Sequence, residues 1–136
     1  MIAQKRPRQT RAEERAAYEV ATIRDADTCQ RCRRNCGPIA RDHRQNRDGR
    51  NTVPSNLQCL GLACHLWKTE HPAEAVTEGW AVPRHTLLSP AEWPARRWVK
   101  TNLGTLRLAW VLYDDAGGWA EIDEIEALQR MGRSAA

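Results

Sequence analysis

The stretch from Cys29 to Ser55 constrains this chain more than any other. It is poor in apolar residues and rich in Arg, Asn, Gly and Pro. Alone, it cannot bury enough surface to offset the entropy of ordering it. Thiols frame it. Cys29 and Cys32 stand at its start with Cys36 shortly after, and Cys59 and Cys64 lie just beyond its end. The Cys29-x2-Cys32 spacing lets two sulfurs converge on one ion, and Cys59 with Cys64 is read as the second pair of a structural Zn²⁺ site. Cys36, followed by Gly37, is a spare thiol able to replace one of the four. A structural zinc contributes about 10–16 kcal/mol of apparent binding free energy in small domains, on the scale of the whole stability of such a domain.

The rest of the chain fits a small, wetted core. With 136 residues it is expected to form one compact domain, and its only aromatics are six Trp and two Tyr. No run of eighteen apolar residues exists, so no membrane span is expected. The first ten residues are polar and basic without an apolar segment, which argues against a signal peptide and for a cytoplasmic protein with reduced cysteines. The net charge of +4 is unevenly spread: residues 1–50 carry thirteen Lys/Arg against seven Asp/Glu, and residues 114–136 carry two against six. Between Cys29 and Lys68 there are eight basic residues and two acids, Asp42 and Asp48. Such a field favours a polyanionic partner.

The predicted organisation is a loose basic arm over 1–9, a single domain over 10–122 with its core at 29–80, and an acidic C-terminal helix or tail over 123–136. Thr10 with Glu13 predicts a capping box. Ala12, Ala16, Val20 and Ile23 then predict a helix over Thr10–Arg24 that buries this stripe. A short helix is expected over Ala63–Glu70. Pro72 and Gly79 frame another over Pro72–Glu78. Trp80–Val82 reads as a short strand, residues 83–97 as an extended loop with three prolines, and Trp98–Thr101 and Thr105–Tyr113 as strands. In the longer strand Leu106, Leu108, Trp110 and Leu112 share one face. Asp114–Gly118 is a turn, Trp119–Ile122 the returning strand, and Ile125, Leu128 and Met131 mark a final short helix.

Asp42-His43 and Cys64-His65 carry the chemistry. A neutral imidazole is an effective general base near pH 7. Adjacent residues of an extended segment point to opposite faces, so one of Asp42 and His43 can ligate a metal while the other faces an attacking water. His65, opening a helix, can offer a nitrogen to the same metal.

Residues 29–68 resemble the HNH endonucleases, with His43, Asn56 and His65 as the three name-giving residues, separated by twelve and eight residues. Leu57, Leu60, Cys64, His65 and Lys68 match the N-L-x-x-L-C-x-x-C-H-x-x-K segment of that family. The chain is similar in particular to the small HNH proteins of actinobacterial phages: His71–Ala75 with Gly79-Trp80 resembles their continuing helix, and Trp110–Leu112 with Asp114-Asp115 and Gly117–Trp119 their last strand and turn. One position departs: where the family places its third cysteine, five residues after the asparagine, this chain has Gly61, and Cys59 lies two residues earlier.

The resemblance implies an α+β fold: a zinc-braced ββα-metal finger with an N-terminal helix, a C-terminal β-hairpin and a short helix. It implies hydrolysis of DNA phosphodiesters to 5′-phosphate and 3′-hydroxyl ends. Asp42 and His65 would hold a divalent ion, Mg²⁺ or Mn²⁺, with other divalent transition metals as alternatives. His43 would deprotonate water, and Asn56 would brace the loop. Arg41, Arg44, Arg47, Arg50 and Lys68 would contact the phosphates of double-stranded DNA. A phage setting would place the protein beside a packaging terminase. The alternative is a zinc-stabilised nucleic-acid-binding module with a non-catalytic site.

Overall fold

The computed structural model describes residues 7–84, 98–102 and 106–131. The chain is α+β, with four helices and two small antiparallel sheets among the described residues. Most of the arm, most of the proline-containing loop over 83–97 and the last residues of the tail lie outside them.

Helix α1 (Arg11–Asp25) starts at the predicted capping box: the Thr10 hydroxyl accepts from the Glu13 amide, and the Glu13 carboxylate accepts from the Thr10 amide. It ends on Ala26 in the left-handed conformation. The buried stripe is not the predicted one. Glu14, Ala17, Ala21 and Asp25 face inward, whereas Ala12, Ala16 and Ile23 are exposed. Two carboxylates on the inner face have buried partners there, while Ala17 and Ala21 are small enough to pack closely on Leu57. Hydrophobicity alone therefore misplaces the face.

Strands β1 (Ile39–His43) and β2 (Leu57–Gly61) form an antiparallel hairpin in which Asp42 stands opposite Gln58 and His43 opposite Leu57. A single 3-10 turn, Pro54–Asn56, leads into β2. Helix α2 (Leu62–Glu70) follows β2 directly. Helix α3 (Pro72–Glu78) keeps its predicted bounds, with Pro72 in the first turn and Gly79 left-handed at φ 86° at the end. Trp80–Val82 is not a strand. The Ala81 amide instead caps back onto Ala75, and the Val82 amide reaches the Arg44 carbonyl.

Strands β3 (Trp98–Asn102), β4 (Leu106–Tyr113) and β5 (Trp119–Ile122) make the second sheet in the order β3-β4-β5. Both faces of β4 contribute to the interior: Trp110 is buried on one and Ala109, Val111 and Tyr113 on the other, while Leu108 is exposed. Val111 and Tyr113 belong to the core that also holds Cys29, Leu60, Cys64, Ala75 and Trp80. Helix α4 (Glu124–Arg130) is capped by Asp123 and buries Ala127. The two sheets are tied by the Ser55 amide on the Asp115 carboxylate at 3.0 Å and by the Arg24 guanidinium over the Tyr113 ring. No helix among the described residues is long and apolar enough to cross a membrane.

Candidate functional site

Four sulfurs converge at one end of the hairpin. The Sγ atoms of Cys29, Cys32, Cys36 and Cys64 all lie within 4.8 Å of one another. A tetrahedral zinc with Zn–S bonds near 2.3 Å separates its sulfurs by about 3.8 Å, so small side-chain adjustments close this set on one ion. An all-sulfur donor set suits Zn²⁺ rather than Mg²⁺ or Ca²⁺. Burial raises the Cys29 thiol, but backbone hydrogen bonds from Cys32, Gly61 and Arg31 outweigh it and bring it to about 7. Burial pushes Cys64 up to about 12, opposed by the Arg31 guanidinium, which donates to its sulfur at 3.6 Å. The Arg34 amide approaches the Cys32 sulfur at 3.4 Å across a turn that places Arg33 at φ 58°.

The expected ligand Cys59 is not in this group, and Cys36 takes its place. Cys59 stands on β2 among α1 contacts: its amide donates to the Asp25 carboxylate at 2.9 Å, and its carbonyl accepts from the Gln30 amide. Burial pushes its thiol up to about 12. Gly61 explains the exchange. A Cβ at that position would collide with the Cys36 sulfur, so the residue standing where a cysteine was expected supplies the room for a thiol from the preceding loop.

At the other end of the hairpin, Asp42 and His43 diverge as period-two geometry requires. Asp42 turns toward α2. Its Oδ2 accepts from Lys68 Nζ at 2.6 Å and Gln58 Nε2 at 2.9 Å. Its Oδ1 lies 3.3 Å from His65 Nε2. Donor atoms of one small cation, each near 2.1 Å from it, stand about 3 Å apart, so this pair fits a shared ion. No further Asp, Glu, His or Cys among the described residues completes a cluster there, which leaves the remaining positions of an ion to water and to substrate. Lys68 also donates to the His43 carbonyl at 2.9 Å, pinning the strand end.

His43 turns toward α1. Its Nε2 is 2.9 Å from the Thr52 hydroxyl, and its ring meets Tyr18 edge-on at 5.9 Å. Burial pushes its pKa below the ordinary 6.5, partly opposed by Asp42 and helped by Arg47, so the ring is neutral at pH 7. Asp42, His43, His65 and Lys68 line one open cleft of about 500 Å³ with Arg41 and Arg47. Asn56, fully buried, braces the loop between the strands. Its Oδ1 accepts from the Gln45 amide at 2.7 Å, and its Nδ2 donates to the Gln45 and Asn51 carbonyls at 3.0 Å each.

The basic residues divide. Arg41 is exposed and Arg50 half-buried. Arg47 is exposed but forms a two-pronged pair with Glu14, both bonds at 2.9 Å. Arg44 is 2% exposed and donates to the carbonyls of Gly79 and Ser55. It is an internal tie, and the expected phosphate contact fails because its side chain points into the molecule. Glu14, Thr52 and Gln58 carry no spacing signal in the sequence. The one available hint is a glutamate on the inner stripe of α1, since a buried carboxylate needs a partner.

No family model matches this chain, and no curated protein or solved structure shows significant similarity to it.

Proposed function

We propose that this chain is an HNH-type, metal-dependent endonuclease that hydrolyses phosphodiesters of double-stranded DNA to 5′-phosphate and 3′-hydroxyl ends. One observation carries the reading: Asp42 Oδ1 and His65 Nε2 stand 3.3 Å apart in a cleft that also holds the neutral imidazole of His43. Two metal ligands beside a base make a constellation suited to metal-assisted hydrolysis of a phosphodiester. In this reading the hairpin and α2 form a ββα-metal finger, and the four thiols hold a structural Zn²⁺ that fixes the loop entering β1. Asp42 and His65 hold Mg²⁺ or Mn²⁺. The ion supplies Lewis-acid stabilisation of the charge developing on phosphate oxygens. Gln58 and Lys68 orient Asp42 by occupying Oδ2. His43 takes the proton of the attacking water. Asn56 holds the loop that follows it. Arg41, Arg50 and the exposed part of Arg47 meet the DNA backbone, with positioning rather than base reading as their role. Work beside a phage packaging terminase rests on the resemblance alone.

A second reading has one observation in its favour. The Lys68 ammonium already neutralises Asp42 at 2.6 Å, so the carboxylate is satisfied without an ion, as it would be in a zinc-stabilised nucleic-acid-binding module. Supercoiled plasmid incubated with the zinc-loaded protein and Mg²⁺, Mn²⁺ or EDTA separates the two. The nuclease reading expects nicking or cutting that EDTA abolishes and that His65→Ala and His43→Ala each reduce by about 10²–10⁴ while both variants still bind DNA. Retained binding with no cleavage under any of these ions would leave the binding module.

A further inference from the structure

Three residues far apart in sequence connect the N-terminal helix to the imidazole of His43. The Glu14 carboxylate is held on α1 by Arg47, whose Nε donates to Oε2 and whose Nη2 donates to Oε1, each at 2.9 Å. Held this way, it is ionised and can only accept hydrogen bonds. The Thr52 hydroxyl lies 2.9 Å from Glu14 Oε2 and 2.9 Å from His43 Nε2. A hydroxyl has one proton. Since the carboxylate cannot donate, that proton goes to Glu14, and the oxygen of Thr52 is left to accept. His43 must then carry its proton on Nε2, and Nδ1 keeps the lone pair. Thr52 is fully buried, and its backbone is clamped by Gln9: the Gln9 Nε2 donates to the Thr52 carbonyl at 2.7 Å, and the Thr52 amide donates to Gln9 Oε1 at 2.8 Å. Tyr18, from the same helix, closes on the ring edge.

We propose that Glu14 and Thr52 are positioning residues that lock His43 in the Nε2-protonated tautomer, so that Nδ1 is its basic atom. The tautomer follows from the hydrogen-bond chain. Only the use of Nδ1 to receive a proton from water rests on the nuclease reading. The helix α1, which lies outside the hairpin and α2, thereby sets the chemistry of a residue on β1.

The test is long-range ¹H–¹⁵N correlation spectroscopy on the full-length, zinc-loaded chain with ¹⁵N-labelled histidine, at a pH where His43 is neutral. The wild type should show a protonated Nε2 and an unprotonated Nδ1 for His43. Thr52→Val keeps the volume and removes the acceptor, so the two nitrogen shifts should move toward each other as the tautomers mix. Thr52→Ser should restore the wild-type pattern, and Glu14→Gln, which offers Thr52 a donor, should shift the proton toward Nδ1. In the plasmid assay Thr52→Val, whose mixed tautomers leave part of the population with a basic Nδ1, should lower kcat several-fold with KM unchanged, and Thr52→Ser should recover it. An Nδ1-protonated His43 in the wild type would overturn the proposal without any variant. So would a tautomer unchanged in Thr52→Val. A wild type that shows the Thr52-dependent tautomer but does not cleave DNA supports the relay and overturns the nuclease reading. Cleavage insensitive to Thr52→Val does the opposite.

Discussion

Arg44 shows how far a single side chain can depart from what its neighbours in sequence suggest. It lies among Arg41, Arg47 and Arg50, which all reach the surface at least in part, yet its guanidinium spans the interior from Gly79 to Ser55. Hydrogen bonds from a charged donor contribute about 1.5–3 kcal/mol each, and a carbonyl left buried without one costs a similar amount. Arg44→Ala should therefore destabilise the fold by at least about 2 kcal/mol. Arg41→Ala, at an exposed position, should stay within about 0.5 kcal/mol of wild type. Urea unfolding followed by tryptophan emission measures both. If Arg44→Ala unfolds at the wild-type midpoint, the guanidinium contributes nothing to stability, and its place among the phosphate contacts would have to be restored.

The element that decides the metal centre is the loop between α1 and β1. It carries three of the four clustered thiols, and α2 contributes only Cys64. The loop is fixed at its Cys36 end: the Ala63 amide donates to the Cys36 carbonyl, and Gly61 leaves space for the Cys36 sulfur. Zinc stoichiometry by elemental analysis should separate the two disputed cysteines. Cys36→Ser should lose tightly bound zinc, and Gly61→Ala should lose it as well, because the added methyl occupies the place of the sulfur. Cys59→Ser should keep about one zinc per chain, the number that one four-sulfur site holds. Zinc retained by Cys36→Ser and lost by Cys59→Ser would reverse the assignment. The same loop was the least foldable part of the sequence, which is why a cross-link there matters more than elsewhere.

Across the whole molecule, the thiol cluster belongs to the main core. Cys29 and Cys64 pack with Leu60, Trp80, Val111 and Tyr113, which joins the hairpin, α2 and the second sheet in one apolar body. The second contact layer, Arg24 over Tyr113 and Asp115 on Ser55, ties the same parts together. Loss of a structural zinc removes about 10–16 kcal/mol, on the scale of the whole stability of such a domain. Complete chelation should therefore unfold both sheets in one transition rather than release the loop alone. The emission of Trp80 and Trp110, both buried, should shift to that of exposed indole together with loss of far-ultraviolet ellipticity. Native-like emission after zinc removal would show that the core stands without the metal.

Local signals were legible in the sequence wherever the cause is local. The Thr10–Glu13 capping box, the Pro72–Gly79 frame of α3, the strand at Trp119–Ile122 and the divergence of Asp42 from His43 all depend on residues close together in the chain. The need for clustered thiols was legible too, since a polar, apolar-poor segment cannot order itself by burying apolar surface. Tertiary structure decided the rest. The face that α1 buries was set by partners for Glu14 and Asp25 that lie more than thirty residues away, at Arg47, Thr52 and Cys59. The choice of Cys36 over Cys59 was set by a steric vacancy at Gly61, which no count of residues between cysteines contains. The tautomer of His43 was set by one proton on Thr52, and where that proton goes is known only once Glu14 is folded against it. Spacing along a chain limits which groups can meet, but direction and distance in three dimensions determine which of them do.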